Sequence, residues 1–115
     1  MTKSEIILYD LPKISLNEWY AGRHWSKRNK IKDAYKFIVK NQFKDVFKSS
    51  ANYIVSYVFF FKNNPLDASN CSAMLKLIED IIFEKDNYNI IDNINISSRK
   101  ATDKKDSVYI EIVEL

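Results

Sequence analysis

The sequence predicts a single α+β domain with the element order β-α-β-α-β-β, in which two helices pack on a mixed sheet that ends in a C-terminal β-hairpin. Three observations predict this fold class. Short runs rich in β-branched and aromatic residues alternate with two longer segments whose apolar residues recur every three or four positions. Turn-forming residues separate the last two short runs. With 115 residues, 46% of them hydrophobic, the chain can build one core and is too short for two, so we expect residues 1–115 to form one domain.

The N-terminal half supplies the first strand and the longer helix. We predict a strand over residues 5–9, closed by Asp10 and Pro12. We predict the first helix over about residues 26–47, because its apolar side chains fall on one stripe that suits a core-facing helix. A separate row on the same helix consists of lysines spaced by four: Lys32, Lys36, Lys40, Lys44 and Lys48.

The C-terminal half supplies the second strand, the second helix and the hairpin. Residues 52–62 are nearly continuously hydrophobic, which predicts a strand covered on both faces. Residues 90–97 and 107–113 both alternate, and the turn-forming segment 99–106 between them predicts a hairpin. Residues 70–83 predict the second helix. At about 100° per residue, its polar side chains share one face with the preceding serine: Ser69, Ser72, Lys76, Glu79 and Asp80.

The composition excludes several classes of protein. The single cysteine, Cys71, leaves no partner for an internal disulfide, and the N-terminus has no long apolar segment typical of a signal peptide. The longest uncharged apolar stretch, residues 53–61, is much shorter than the roughly 20 residues that span a membrane. The only histidine, His24, excludes a zinc site built from histidines. We therefore expect an intracellular protein with no membrane partner.

Acidic side chains are concentrated around the second helix. Asp67 precedes it, Asp80 lies on it and Asp86 follows it. Hydrolysis of a phosphodiester by a divalent metal needs carboxylates from different elements that converge on the ion, and Lys76 on the same face would neutralise charge that develops on the phosphate. The alternative is structural, because an acid before a helix often caps its N-terminus and Lys76 with Asp80 forms an ordinary i,i+4 ion pair.

Positive charge is concentrated in the other half of the chain. Residues 21–48 carry nine basic groups against two acids, a balance of +7, and the remainder carries −4, because the whole chain carries +3. Aromatic residues are interleaved with these cations, a composition that suits the neutralisation of phosphates without reading base sequence. The alternative is a lysine-rich helix face that is only solvated. The candidate DNA contacts in this segment are Arg23, Lys27, Arg28, Lys30, Lys32 and Lys36.

Four pieces of the chain resemble the RusA family of Holliday-junction resolvases, and the similarity runs over nearly the whole length. They are the N-terminal ISLNEWYAGRHWSKRNKIKDAY, the Asp-x-x-Asn motif at residues 67–70, the helix MLKLIED and the segment EKDNYNII. The resemblance implies a homodimer that binds four-way DNA junctions and cuts paired strands with Mg²⁺, for which Mn²⁺ substitutes. It also implies a location in the cytoplasm of a bacterial or phage-infected cell.

The resemblance also implies roles for individual residues. Asp67 and Asp86 would be metal ligands, Asn70 would order the loop, and Lys76 would support the phosphate. Asn17 in the family-like SLN segment would contact a phosphate or cap a turn. These two roles of Asn17 stay open at the level of sequence.

The chain departs from the family pattern at two positions. Many members have an aspartate where this chain has Ser69, and an acidic pair where it has Lys85 followed by Asp86. The acidic pair on MLKLIED resembles a variant of the family in which that helix carries acids. We therefore predict a metal cluster composed of Asp67, Asp80 and Asp86, with Glu79 as a further ligand.

These observations lead to one hypothesis and two alternatives. The hypothesis is a magnesium-dependent, structure-selective endonuclease that cleaves branched DNA. The first alternative is a RusA-like protein that has lost catalysis through Ser69 and holds branched DNA in phage replication, recombination or packaging. The second is an interaction domain whose lysine row faces an acidic protein.

Overall fold

The computed structural model describes residues 2–21, 25–44, 47, 51–83 and 90–115. These residues form one α+β domain with a mixed four-stranded sheet, so the predicted fold class is confirmed. Within the described ranges, three α-helices and a short 3₁₀ helix accompany the sheet, where the sequence predicts two helices. The elements are β1 (Thr2–Tyr9), α1 (Leu16–Tyr20), α2 (Trp25–Gln42), β2 (Asn52–Phe61), the 3₁₀ helix (Ala68–Cys71), α3 (Ser72–Ile82), β3 (Ile90–Lys100) and β4 (Ser107–Glu114).

The strands are arranged in the order β1-β4-β2-β3. Strand β4 is antiparallel to both β1 and β2, whereas β2 and β3 are parallel. Parallel neighbours need a crossover connection, and here the 3₁₀ helix and α3 provide it. The 3₁₀ helix therefore begins near the end of β2, and α3 leads back to the start of β3.

The predicted C-terminal hairpin needs correction. Both of its strands exist, but β2 lies between them and they form no ladder with each other. The connection crosses the end of β2, where Ala101 donates its N–H to the carbonyl of Phe61 and Lys62 donates its N–H to the Asp106 carboxylate. Strand β2 is the most hydrophobic strand, and a central position pairs both of its edges. Alternation along the sequence predicted the strands and not their partners.

Helix α1 occupies a segment that the sequence predicted as a connection. Ser15 caps it through its side chain, which accepts from the N–H of Glu18, while the Glu18 carboxylate accepts from the N–H of Ser15. This is a capping box, and the Ser-x-x-Glu spacing was its signal. Helix α2 ends at Gln42, five residues before the predicted end, so Lys44 lies beyond the helix.

The core lies on one side of the sheet. Along β2 the side chains of Tyr53, Val55, Tyr57, Phe59 and Phe61 are buried, while those between them are only partly buried. The prediction of a strand covered on both faces is therefore corrected: one face of β2 is buried and the other is only partly buried. The helices contribute to the same core: Tyr35, Val39, Met74, Leu75, Leu77, Ile78 and Ile82.

In the part of the chain that the structure describes, no helix has both the length and the apolar character needed to cross a membrane.

Candidate metal and nucleic-acid site

Asp67 lies at the position that precedes the 3₁₀ helix. Its backbone carbonyl accepts a hydrogen bond from the N–H of Asn70 at 2.9 Å, and this bond closes the Asp-x-x-Asn turn. Its side chain makes no capping hydrogen bond and is exposed. The structural alternative of a capping carboxylate therefore does not hold for Asp67. Its carboxylate oxygens are available to a ligand.

Two side chains hold the loop between β2 and Asp67. The Lys13 ammonium donates to the carbonyls of Asn63 at 2.9 Å and Asn64 at 2.6 Å, and it lies 5.2 Å from the centre of the Phe61 ring. On the other side, the Ser98 hydroxyl donates to the carbonyl of Leu66. These contacts fix the chain on both sides of Pro65 and so determine where Asp67 is placed.

Lys13 and Ser98 were missed at the level of sequence. The Asn-Asn-Pro run predicted a turn, but nothing in it indicates a lysine that is fifty residues away along the chain. Both side chains act on backbone carbonyls, which carry no residue-specific signal. Only the folded structure relates them to Asp67.

Helix α1 adjoins the Asp-x-x-Asn turn. It packs against both the 3₁₀ helix and α3, so the SLN segment lies next to residues 67–70. Asn17 has an exposed side chain in α1, and its backbone carbonyl accepts from the N–H of Ala21. Because Ser15 caps the helix, Asn17 does not have that role. Two of the segments that carry the family resemblance are therefore brought together.

Arg28 joins α2 to α1. One guanidinium nitrogen donates to the carbonyl of Trp19 at 2.8 Å, and the group lies 5.5 Å and 5.9 Å from the ring centres of Trp19 and Tyr20. Its Nε is buried and has no partner among the described residues. The geometry fits a structural cation–π contact between two helices, and this half-buried arginine is less available to DNA than predicted.

The other predicted DNA contacts are largely open to solvent. Lys27, Lys30, Lys32 and Lys36 are all exposed on α2. Arg23 lies outside the described residues. Exposed lysines on a helix supply positive charge that attracts phosphates without any base-specific geometry.

The polar face of α3 forms an ion-paired group. Lys76 is bound to Asp80 at 2.9 Å and lies 3.9 Å from Glu79, so the predicted i,i+4 pair is present. The hydrogen bond from Lys76 to Asp80 raises the pKa of Lys76, which stays charged. The two acids differ, because the Glu79 side chain is only 12% exposed and that of Asp80 is 47% exposed. Burial raises the pKa of Glu79 above its usual value.

A buried tyrosine faces these acids. Neither the Tyr57 hydroxyl nor Oε1 of Glu79 has a hydrogen-bond partner within the described part of the chain, and both atoms are buried. Burial is the main cause that raises the pKa of Tyr57 well above its usual value, and the charges of Glu79 and Asp80 add to it. The hydroxyl is therefore a neutral group near the acidic pair.

The structure does not bring Asp67 and Asp80 together. A rise of 1.5 Å per residue places Asp80 about 12 Å along α3 from Ser72, and Asp67 precedes Ser72 by five residues. The oxygen ligands of one magnesium or calcium ion lie roughly 2.0–2.6 Å from it. In one chain, these two carboxylates therefore do not share an ion. Among the described residues, no three His, Cys, Asp or Glu side chains are grouped so that they could hold a metal.

Asp86 lies outside the described residues, but the residues beside that segment have a clear position. The Phe83 ring packs on Tyr53 near the start of β2, and Ile90 donates its N–H to Ala51. Asp67, in contrast, follows Leu66, which is bound to Ser98 beside Phe59 in the sheet. Phe59 lies six positions after Tyr53 along β2, a distance of about 20 Å. The two ends of the crossover therefore lie at opposite ends of the sheet.

The donor set at Asp67 fits magnesium to a limited extent. Magnesium usually keeps several waters and binds one or two carboxylates together with substrate phosphates. One exposed carboxylate that caps no helix meets the first part of that requirement. A second carboxylate has to come from elsewhere.

The chain matches no model of a known protein family and no curated protein.

Proposed function

We propose that this protein is a magnesium-dependent, structure-selective endonuclease that cleaves branched DNA, with four-way junctions as its preferred substrate. The observation that carries the proposal is the Asp67 carboxylate, which is exposed and not used as a cap. It lies on a turn that α1 contacts directly, and Arg28 links α1 to the lysine-bearing helix α2. An acid for the metal and cations for the phosphates thus belong to adjoining elements.

The proposal assigns the metal to Asp67 and Asp86 and removes Asp80 from the ligand set. Asp80 is bound to Lys76 and is too far along α3 to share an ion with Asp67. Asp86 enters from the sequence resemblance. A bound magnesium ion would polarise the phosphate and lower the pKa of the attacking water.

The two ligands are proposed to come from different copies of the chain. The Phe83 ring packs on Tyr53 near the start of β2, about 20 Å from the end of the sheet that carries Asp67, so we propose a second copy as the source of Asp86. A homodimer supplies the second acid.

Individual residues have separate tasks in this proposal. Asn70 closes the turn that presents Asp67, and Lys13 with Ser98 holds the preceding loop. The exposed lysines of α2 neutralise the DNA backbone and orient the junction. From the resemblance, Lys76 would support the phosphate; it is charged and paired with Asp80.

One observation favours a second candidate function. Ser69 occupies a position where many members of the family have an acid, and no metal-binding group of three is present among the described residues. A protein with this site would bind branched DNA through the lysines and would not cut it. The two functions share a binding surface and differ in catalysis.

A cleavage assay separates the candidates. The purified protein is incubated with a synthetic four-way junction or a linear duplex of the same sequence, with Mg²⁺ or with chelator. The proposed nuclease gives paired nicks in the junction that require Mg²⁺. Tight, salt-dependent junction binding without nicks would establish the DNA-binding function. No preference for the junction over the duplex would contradict both.

A further inference from the structure

The sheet has one face that lies away from the core. The side chains that α2 and α3 contribute to the core pack with Leu8, Phe59 and Val108, which lie on one face of β1, β2 and β4. Because side chains alternate along a strand, their neighbours in sequence lie on the opposite face. On that face Tyr9 is 39% exposed, and Phe60 is partly exposed. Aromatic side chains grouped on an open sheet face mark a binding surface.

Two aromatic side chains lie on either side of a small residue. The strand register places Tyr9 on β1 and Phe60 on β2 both opposite Ser107 on β4. Neighbouring strands are about 4.8 Å apart, so the two aromatic side chains begin about 10 Å apart, with a serine between them. Neither ring stacks on another aromatic ring among the described residues. Both ring faces are therefore open to a flat ligand.

The sheet holds these aromatic side chains in place. Gln42, the last residue of α2, accepts from the N–H of Tyr9 at 2.7 Å and donates to its carbonyl at 2.8 Å. Tyr109 lies on the same face, diagonal to both Tyr9 and Phe60 and about 7–8 Å from each. Three aromatic residues therefore share a small area of a paired sheet, and a ligand that stacks on them pays little for ordering the backbone.

Cations border the aromatic end of this face. Arg99 on β3 pairs with Phe60, and Lys62 follows Phe60 by two positions. Both cations are exposed, and neither forms an ion pair with another described residue. Residues 101–106 carry two lysines and two aspartates and add no net charge. Asp10 at the end of β1 lowers the balance by one, which leaves this end positive.

The other end of the same face is acidic. Lys3 lies 3.4 Å from Glu5 and 3.3 Å from Glu111, so one cation is shared by two acids. A polyanion is therefore attracted to the aromatic end of the face and repelled from the opposite end. This distribution suits a ligand that combines flat rings with negative charges.

We propose that this face binds the unpaired bases of a single-stranded nucleic acid, with bases stacked on Tyr9 and Phe60. The phosphates of the strand pair with Arg99 and Lys62. Aromatic side chains beside cations bind single strands without reading their sequence. A protein partner fits the face less well, because polar side chains interrupt the apolar ones: Ser56, Asn93, Asn95, Ser97 and Ser107.

This surface is separate from the proposed nuclease site. Ser98, which binds the loop before Asp67, pairs with the buried Phe59 and so lies on the core face of the sheet. Tyr9 and Phe60 lie on the other face. Single-strand binding therefore uses a second surface and does not require cleavage.

Fluorescence anisotropy without Mg²⁺ tests the surface with labelled oligothymidylate and oligouridylate of about twelve nucleotides. We expect Tyr9→Leu and Phe60→Leu each to raise the dissociation constant about tenfold, because leucine is apolar but has no ring face. Arg99→Gln lowers the slope of log K against log salt by about 0.7. Tyr20→Leu, at an exposed tyrosine of α1, is the matched control and leaves the constant unchanged. Binding of either strand supports the proposal, and the comparison identifies the preferred sugar.

An abasic strand of the same length separates stacking from charge, because it keeps the phosphates and lacks the bases. We expect wild type to bind it at least about tenfold more weakly than oligothymidylate. This measurement needs no variant and does not depend on how the substitutions fold. No binding of either strand, equal binding of the abasic strand, or an equal loss in Tyr9→Leu and Tyr20→Leu would each overturn the proposal. A failed cleavage assay leaves these outcomes unaffected.

Discussion

The Ser98 hydroxyl donates a hydrogen bond to the backbone carbonyl of Leu66, the residue immediately before Asp67. This bond ties the edge strand β3 to the turn that presents the proposed metal ligand. Lys13 holds the same loop from the opposite side through the carbonyls of Asn63 and Asn64. Lys13 and Ser98 therefore determine the position of Asp67, together with the 3₁₀ helix that follows it.

We expect Lys13→Met to lower junction cleavage while junction affinity stays within about twofold of wild type. The substitution keeps an unbranched side chain of similar length and removes the ammonium over Phe61 and both hydrogen bonds to the loop, so Asp67 loses a fixed position. Single-turnover cleavage and equilibrium binding measure the two quantities. Lys62→Met removes a nearby exposed cation without altering those hydrogen bonds and is the control. Equal loss of affinity in the two variants would show that Lys13 acts only through charge.

The unpaired hydroxyl of Tyr57 leads to a stability prediction. We expect Tyr57→Phe to leave the free energy of unfolding unchanged or to raise it by up to about 1 kcal/mol, because the hydroxyl is buried without a partner among the described residues. Tyr35→Phe is the matched control. The Tyr35 hydroxyl donates to the carbonyl of Pro12, so its removal costs about 1 kcal/mol. Urea unfolding of both variants checks the difference, and an equal decrease would contradict it.

Glu79 makes stability depend on pH. Burial raises its folded-state pKa above the usual 4.5, so the folded state disfavours the charged form. The contribution of Glu79 to the free energy of unfolding is most favourable below pH 4.5, where the carboxyl group is protonated. This contribution is lost as the pH rises through the folded-state pKa. We therefore expect Glu79→Gln to be more stable than wild type at pH 7 and equal to it below about pH 4.

Asp80→Asn is the control for that experiment. Its carboxylate is half exposed and paired with Lys76 at 2.9 Å, so its removal lowers stability at pH 7 by roughly 0.5 kcal/mol. Thermal unfolding between about pH 3.5 and pH 8 compares the variants across the window in which a raised carboxyl pKa acts. A Glu79→Gln variant that is less stable than wild type at pH 7 would show that the interaction of Glu79 with Lys76 outweighs the cost of its burial.

The lysines of α2 predict a dependence on salt. We expect single alanine substitutions at Lys27, Lys30, Lys32 and Lys36 to weaken junction binding and to reduce the slope of log K against log salt by about one unit for each phosphate that the variant no longer neutralises. Lys105, exposed in the turn between β3 and β4, is the control. Slopes that stay at the wild-type value in all four variants would assign DNA binding to another surface.

Local periodicity predicted the strands and the two longer helices because burial of one face leaves a repeating pattern in the sequence. Strand order was not predictable in the same way, since alternation in β3 and β4 is compatible with either neighbour and the partner depends on the position of β2. The capping residues Ser15 and Glu18 did signal α1, although the segment was predicted as a connection.

The candidate site was predictable only in part. The Asp-x-x-Asn motif indicated an acid on a turn, and Asp67 is exposed on such a turn. A shared helix face does not imply a shared site for Asp80, because rotation around a helix does not determine distance along it. The hydrogen bonds of Lys13 and Ser98 were not predictable, because they involve backbone carbonyls from segments distant in sequence.

Cleavage of a four-way junction by Asp67→Asn, compared with Asp80→Asn in the same assay, tests the central claim most directly. We expect Asp67→Asn to abolish magnesium-dependent cleavage and to bind the junction as tightly as wild type or more tightly, because a negative charge near the phosphates is removed. We expect Asp80→Asn to retain cleavage. Wild-type cleavage rates in Asp67→Asn would contradict the assignment of the metal to this turn.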